Sequence, residues 1–525
     1  MSGKASSFPA RSQYPARGIP SNCCSPGMLS HNALMQRITP RSSWPLHSVL
    51  ATRALEADAQ ASLPAHTLMQ LAGLAIAKLG LALAPHAQRI WVACGPGNNG
   101  GDGLEAAMHW QHWGKQPVVT WLGDETSAPA DAKAALARAR AAGVCFAEHP
   151  PTDLTTQDLC VDALLGLGQS RAPMGRMAEW LTALRASPAT LLAVDLPSGL
   201  NADTGQFSGP NGGACHTLAL LTLKPGLFTA QGRDTAGQIW WDDLGTRPGS
   251  HTATALLNGP PPSAVRLHAT HKGSFGDVAV LGGAPGMAGA ALLAGQAALH
   301  GGAGRVFVGL LDRSPYAVDP GQPELMLRDP ATLDMANMTV VCGCGGGAAV
   351  HASLPAVLST ARHLVFDADA LNAIALDTAL QTLLKARARR QAHTTVITPH
   401  PLEAARLLGT TAAAVQADRL KAAQQLASTF GVAVVLKGSG SVIAAPQALP
   451  CINPTGNGLL ATAGTGDVLA GLVGARLAQG LDALPAACAA VYQHGQLADF
   501  WPTGKALTAS ALARAARPIQ GATAP

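Results

Sequence analysis

The run Arg89-Ile90-Trp91-Val92-Ala93-Cys94 followed by Gly95-Pro96-Gly97-Asn98-Asn99-Gly100-Gly101-Asp102-Gly103 constrains this chain most. A short apolar run reads as a buried strand, and the Ala-rich segment after the glycines reads as a helix. The glycines between them allow a tight turn and close approach of a ligand to the backbone. Backbone N–H groups at the start of such a helix attract an anion. The same strand–turn–helix unit recurs along the chain: QPVVTWLG, DLCVDALLGLG, TLLAVDLPSGL, HTLALLTLKPGL and GQIWWDDLG provide further strands in the first half. GDVAVLGGAPG, MTVVCGCGGG, HLVFDADALNAI, TTVITPHPLEAARLLG and VAVVLKGSGSVIAAP provide them in the second. Such alternation predicts α/β architecture with parallel, doubly wound sheets.

At 525 residues, with 48% hydrophobic and 13% charged side chains, the chain has enough apolar material for several folded domains. The segment 1–44 is rich in Ser, Pro and Arg without apolar period, and is expected to be a disordered or mis-assigned tail. Domains are expected at 45–245 and 265–520, with a Pro-rich linker at 246–264 carrying Pro260-Pro261-Pro262. A helix is predicted from Ser48, broken near Leu63-Pro64. The net charge of +5 comes with no basic stripe, so neither nucleic acid nor a membrane surface is an expected partner. No run has the roughly 20 bulky apolar residues of a lipid-facing helix. Ten cysteines, none in a Cys-x-x-Cys pair, fit a reducing cytoplasm.

Three strand ends of the first half carry polar chemistry: Asn98 to Asp102, Asp162 in Val161-Asp162-Ala163, and Asp195 in Val194-Asp195-Leu196-Pro197-Ser198-Gly199. Any one Asp could cap a helix, but three successive strand ends converge on one crevice. The oxygen set Asn99, Asp162 and Ser198 suits a hard cation. In the second half, Asn453-Pro454-Thr455-Gly456-Asn457-Gly458 precedes Ala463-Gly464-Thr465-Gly466-Asp467, where small residues clear space for a polyphosphate at a helix start. Asp467 there can take a proton from a substrate hydroxyl.

The first set resembles the NAD(P)H-hydrate epimerase family over about 45–245. The resemblance implies K⁺ held by Asn99, Asp162 and Ser198, and substrate contacts from Asn98, Asn99, Gly100, Gly101 and Asp102. It implies further contacts from Gly166, Leu167, Gly168, Gln169, Ser170, Arg171 and Ala172, and from Asp195 as the acid–base residue. Lys224 in Leu223-Lys224-Pro225-Gly226 matches a family lysine. This chain departs at Gln70-Leu71-Ala72-Gly73, where the family has Glu-Asn-Ala-Gly, and at Leu165-Gly166-Leu167-Gly168, where a Phe-Gly-Thr-Gly is usual.

The second set resembles the ribokinase-like superfamily. His271-Lys272-Gly273-Ser274-Phe275-Gly276, Asp367-Ala368-Asp369, Thr398-Pro399-His400-Pro401-Leu402-Glu403 and Leu436-Lys437-Gly438 narrow the resemblance to the NAD(P)H-hydrate dehydratases. It implies nucleotide contacts from Lys437, Gly438, Ser439, Gly440, Ser441 and Gly466. Ala290, Gly345, His400 and Asp467 would contact the hydrated nicotinamide nucleotide, with Asp467 catalytic and Mg²⁺ near Asp367, Asp369 and Glu403. The usual Gly-Pro-Gly-Leu-Gly loop reads Gly343-Cys344-Gly345-Gly346-Gly347 here. The two resemblances together imply an isomerase and lyase that repairs hydrated NADH and NADPH at the expense of ADP, expected as a homo-oligomer. The competing expectation is a ribokinase-like small-molecule kinase with a non-catalytic N-terminal binding domain.

Overall fold

A computed structural model describes residues 35–168, 172–246, 253–262, 266–312, 317–390 and 393–518. Two sheets organise it. The first runs, from edge to edge, Gln36–Arg37, Gln238–Asp242, His216–Leu220, Thr190–Val194, Leu159–Ala163, Arg89–Cys94, Gln116–Trp121 and Cys145–Ala147. All neighbours pair in parallel except the edge strand Gln36–Arg37. The strand order reverses direction between Arg89–Cys94 and Leu159–Ala163, which opens a crevice at their carboxyl ends.

The second sheet runs Met326–Leu327, Arg305–Leu310, Asp277–Gly282, Thr339–Cys342, His363–Phe366, Thr394–Ile397, Ala433–Leu436, Val442–Ala444, Cys451–Ile452, Ala255–Leu257 and Trp44–Leu46. Its central strands are parallel and buried throughout, which is why they read as unbroken apolar runs. Helices cover both faces. Ala288–His300 and Thr465–Ala478 pack on one face with Val278, Val341 and Leu472; Ala368–Leu376 and Arg419–Phe430 pack on the other with Leu364, Leu436 and Phe366.

Two expectations change. The tail does not extend to residue 44: Gln36–Arg37 adds to the first sheet and Trp44–Leu46 to the second, while residues 1–34 lie outside the described residues. The linker is not merely a linker either. Its Ala255–Leu257 is a strand, parallel to Cys451–Ile452 and antiparallel to Trp44–Leu46. Strands of two or three residues have no period of their own, and only their partners make them strands. The helix expected from Ser48 is present as Val49–Ser62, with the Ser48 side chain accepting a bond from Ala51 N–H at 3.3 Å, and after the break as Thr67–Leu83.

The strand Trp44–Leu46 ties the lobes together. Leu46 bridges to Leu223 of the first lobe, and His47 N–H donates to the Leu223 carbonyl at 2.8 Å. A shared apolar cluster joins Leu46, Leu223, Phe228, Leu257 and Ile452. Among the described residues no single helix is long and apolar enough to cross a membrane.

Candidate active sites

The first site is a cavity of about 440 Å³ at the carboxyl end of the first sheet. Its floor depends on backbone approach: a Cβ on Gly100 would lie 2.0 Å from the Gly95 carbonyl oxygen. Asn98, Asn99 and Asp102, from the helix Asn98–His112, line it together with Gly166, Leu167, Gly168 and Asp195. Gly101 packs on Met69 behind the wall. Ala172 is described and exposed, while Gln169, Ser170 and Arg171 lie outside the described residues.

Asp195 follows the strand Thr190–Val194 and sits at φ +65°, the left-handed region that costs a non-glycine residue energy. The turn aims its carboxylate at Lys224, whose ammonium donates to Asp195 Oδ1 and, at 2.8 Å, to the Leu220 carbonyl. Lys224 is fully buried, so the ion pair operates away from bulk water. Burial, with Asp195 close by, raises the carboxyls of Asp102 and Glu56 above their ordinary range. Glu56 and Arg53, on the helix Val49–Ser62, line the cavity and escaped the sequence reading. Both sit in an amphipathic helix whose charges read as a solvated face.

Asp162, Ser198 and Asn99 lie behind this wall. Asp162 is 2% exposed. Its Oδ1 accepts from Ser198 Oγ at 2.6 Å and its Oδ2 from Ser198 N–H at 2.9 Å. Neither Lys nor Arg bonds it among the described residues, and burial raises its pKa. Asn99 is buried with its amide nitrogen unpartnered, and its Oδ1 faces Gly166, where a Cβ would lie 3.0 Å away. A buried carboxylate without a side-chain cation, beside amide and hydroxyl oxygens, fits a hard cation.

The second site gathers at the carboxyl ends of the second sheet. Asp367 follows the strand His363–Phe366, and its Oδ1 accepts from Lys437 Nζ at 2.6 Å and from Thr398 Oγ1 at 2.8 Å. Glu403 Oε2 lies 3.9 Å from the same ammonium. A Cβ on Gly466 would be 3.5 Å from Lys437 Nζ. The Lys437 ammonium thus faces carboxylates at the head of the helix Thr465–Ala478, while the nucleotide loop expected from it begins one residue later. The ligand atoms of Cys344, Asp367 and Asp467 lie within 4.8 Å of one another. Burial, with Asp367 adding to it, pushes Asp467 up to about 6. Burial likewise pushes Glu403 up to about 7, against the pull of Lys437.

His400 caps the helix Pro401–Leu408: its Nδ1 accepts from Leu402 N–H at 3.1 Å, and Glu403 returns a bond to His400 N–H at 2.8 Å. Gly345 packs on Ala290, as a Cβ there would lie 2.8 Å from that residue's own. Asp369 accepts from Gly347 N–H at 2.8 Å and so holds the glycine loop. His271 to Gly276 form an exposed turn, capped by His271 Nδ1 and Ser274. Asp367 and Glu403 share the one ammonium of Lys437, and Asp467 stands beside Asp367, an excess of negative oxygen that suits hydrated Mg²⁺.

Beside this cluster opens a cavity of about 580 Å³, lined by Lys437, Gly438, Ser439, Ser441 and Gly466. Arg419, fully buried, donates to the carbonyls of Leu436 and Lys437 at 3.2 and 3.3 Å and holds this loop. His494, also lining it, bonds the Thr465 carbonyl at 2.9 Å, and burial lowers its pKa to about 4, so it is neutral. Neither residue stands in a motif, and only the fold brings them here.

Two α/β lobes, each with paired Lys–Asp chemistry at strand ends and the second with a polyphosphate-sized cavity, define a two-site enzyme acting on nucleotides. Residues 65–226 match the family model for the YjeF-related protein N-terminus, and residues 278–520 match that for NAD(P)H-hydrate dehydratase. The chain is 37% identical over 454 residues to the bifunctional NAD(P)H-hydrate repair enzyme Nnr of Escherichia coli, covering 83% of this chain and 85% of that protein. It is 43% identical over 255 residues to the ADP-dependent (S)-NAD(P)H-hydrate dehydratase of Neisseria meningitidis, covering 47% and 84%. The ADP/ATP-dependent NAD(P)H-hydrate dehydratase of Bacillus subtilis is 31% identical, with a TM-score of 0.42 over 48% of this chain and 90% of that one. The chain belongs to the family of bifunctional NAD(P)H-hydrate repair enzymes.

Proposed function

We propose that the lobe within 45–245 interconverts the R and S hydrates of NADH and NADPH, and that the lobe within 265–520 dehydrates the S epimer at the expense of ADP. The observation that carries this reading is the pair of strand-end sites on one chain, each with a Lys–Asp ion pair at its own cavity.

In the first cavity the carbon bearing the added hydroxyl must invert. Asp195 and Lys224 hold the proton that lets the hydroxyl leave as water, and take it back when water returns to the other face. Asn98 to Asp102 and Gly166 to Ala172 would hold the nucleotide. K⁺, held by Asn99, Asp162 and Ser198, would supply fixed positive charge behind this wall.

In the second cavity Asp467 takes the substrate hydroxyl proton. The freed oxygen attacks the terminal phosphoryl group of ADP, and AMP leaves. The phosphate ester is then a good leaving group. Phosphate departs, the neighbouring carbon gives up a proton, and the reduced nicotinamide ring is restored. Gly438, Ser439, Gly440, Ser441 and Gly466 would contact ADP, and Lys437 would balance charge between Asp367 and the phosphoryl group. Ala290, Gly345 and His400 would face the hydrate. Mg²⁺ near Asp367, Asp369 and Glu403 would neutralise the diphosphate. The substrates are small molecules, the expected compartment is the cytoplasm, and the expected assembly is a homo-oligomer.

Mixed-epimer NADH hydrate, incubated with protein, K⁺, Mg²⁺ and either ADP or ATP, tests the reading. Complete recovery of reduced-nicotinamide absorbance is expected with ADP. Recovery stopping at the S fraction rejects the epimerase half, and recovery with neither donor rejects the whole.

A further inference from the structure

The wall of the second cavity is not built by the second lobe alone. Arg233, nine residues after Lys224, lines it on the side of the nucleotide loop. Its guanidinium donates to three successive carbonyls of the other lobe: Pro454 at 3.0 Å, Thr455 at 3.4 Å and Gly456 at 2.6 Å. The opposite side of that loop is held by Asp499, which accepts from Gly456 N–H at 2.9 Å. Arg233 is half-buried and makes no ion pair among the described residues. Its bonds go to carbonyls rather than to a carboxylate, and although Asp234 and Asp499 lie near enough to act on it, the guanidinium lines the cavity with positive charge.

A second crossing reinforces the first. Ala230 N–H donates to the Ser439 carbonyl at 3.1 Å, and Ser439 Oγ donates back to the Ala230 carbonyl at 2.9 Å. Thr229 Oγ1 donates to the Ser439 and Gly440 carbonyls at 3.3 and 3.2 Å. Gly440 stands at φ +60°, and a Cβ there would meet the Phe228 carbonyl at 2.1 Å. The two lobes therefore meet backbone to backbone at the loop that would cradle the nucleotide.

We infer that the segment Phe228 to Arg233 of the first lobe completes the nucleoside diphosphate pocket of the second, with Arg233 as the positioning residue that fixes the 454–456 loop and turns a positive field toward the diphosphate. The inference rests on the proposed reading of the second site. It adds that the pocket is assembled in cis from both lobes, so that the nucleotide's affinity is set partly by residues of the epimerase half.

ADP titrated calorimetrically into the full-length protein tests it without any turnover. Arg233→Ala is expected to weaken ADP binding at least tenfold, and Arg233→Lys by an intermediate factor, because a single ammonium cannot hold three carbonyls. Thr229→Val, which keeps the side-chain shape, is expected to weaken it about threefold. Gln206→Ala is the control: Gln206 bonds the Gln416 carbonyl at 2.8 Å across the lobes but does not line the cavity, and ADP binding should stay within twofold. In a dehydration assay on resolved S hydrate, Arg233→Ala should raise KM for ADP with kcat within threefold. Wild-type ADP affinity in both Arg233→Ala and Thr229→Val overturns the inference. So does an equal loss in Gln206→Ala, which would make lobe docking the cause. ADP binding that depends on Arg233 in a protein that fails to dehydrate the hydrate rejects the proposed reaction and leaves the inference standing.

Discussion

Asp195 and Asp467, the residues proposed to carry the chemistry, differ in how they are held. Asp195 is paired with a buried ammonium, so Asp195→Asn should abolish epimerisation while dehydration of resolved S hydrate continues at the wild-type rate. Asp467 has a pKa raised to about 6, so its base form is lost as pH falls through that value. Dehydratase kcat/KM should fall about tenfold per pH unit below about 6, measured on S hydrate with saturating ADP. The sign for stability is opposite. A carboxyl with its folded pKa above the ordinary 3.8 stabilises the fold when protonated, and that contribution is lost as pH rises through about 6. Asp467→Asn, neutral at every pH, should melt a few degrees above wild type at pH 8 and equal to it near pH 3. A scan that finds Asp467→Asn less stable at pH 8 would overturn the assigned pKa. Both aspartates were legible because each stands in a motif, Asp195 after a strand and Asp467 at a helix start. Glu56, Arg233, Arg419 and His494 were not. Each acts across a distance in sequence that no local pattern encodes, and Arg233 reads in one dimension as an ordinary exposed charge.

At the scale of elements, the parallel core of both sheets could be read from the chain, since buried strands in such sheets are unbroken apolar runs bounded by glycine. The short strands could not. Trp44–Leu46 and Ala255–Leu257 lie in stretches whose Pro and Ser content argues for coil, and their backbone groups become paired only through partners roughly 200 residues away. Leu46 measures what that pairing is worth. It is fully buried between Leu223 of one lobe and Leu257 and Ile452 of the other. Leu46→Ala should cost about 2–5 kcal/mol, read by urea unfolding, and should lower the stability of both lobes. A loss confined to the first lobe would contradict the pairing described.

For the whole molecule, the sequence indicates two domains joined by a Pro-rich linker and leaves open how they dock. The structure shares an apolar cluster, a strand bridge and the Arg233 loop between them, and the described residues from 35 to 518 belong to one compact unit. Calorimetric unfolding should therefore show one transition, and ADP should raise its midpoint for both lobes together. Fluorescence of Trp91 and Trp110, both buried in the first lobe, reports that lobe directly. An ADP-induced shift that leaves this signal unchanged would separate the lobes. That docking is not legible in the sequence for a plain reason: Pro260-Pro261-Pro262 breaks every local period, and a break in pattern says nothing of whether the flanking chain is pinned.

The placement of Trp44–Leu46 has a consequence for the order in which the protein can be completed. This strand is among the first described residues to leave the ribosome, yet its sheet partner Ala255–Leu257 pairs in turn with Cys451–Ile452. Synthesis at about 5–20 residues per second delivers that last strand roughly 20–80 s later. For that interval Trp44–Leu46 has only Ala255–Leu257 as a strand partner in its sheet, and the edge of Ala255–Leu257 that later takes Cys451–Ile452 stays open. Nascent chains stalled between residues 300 and 450 should thus be cut near residue 256, and chains released after Ile452 should resist the same protease.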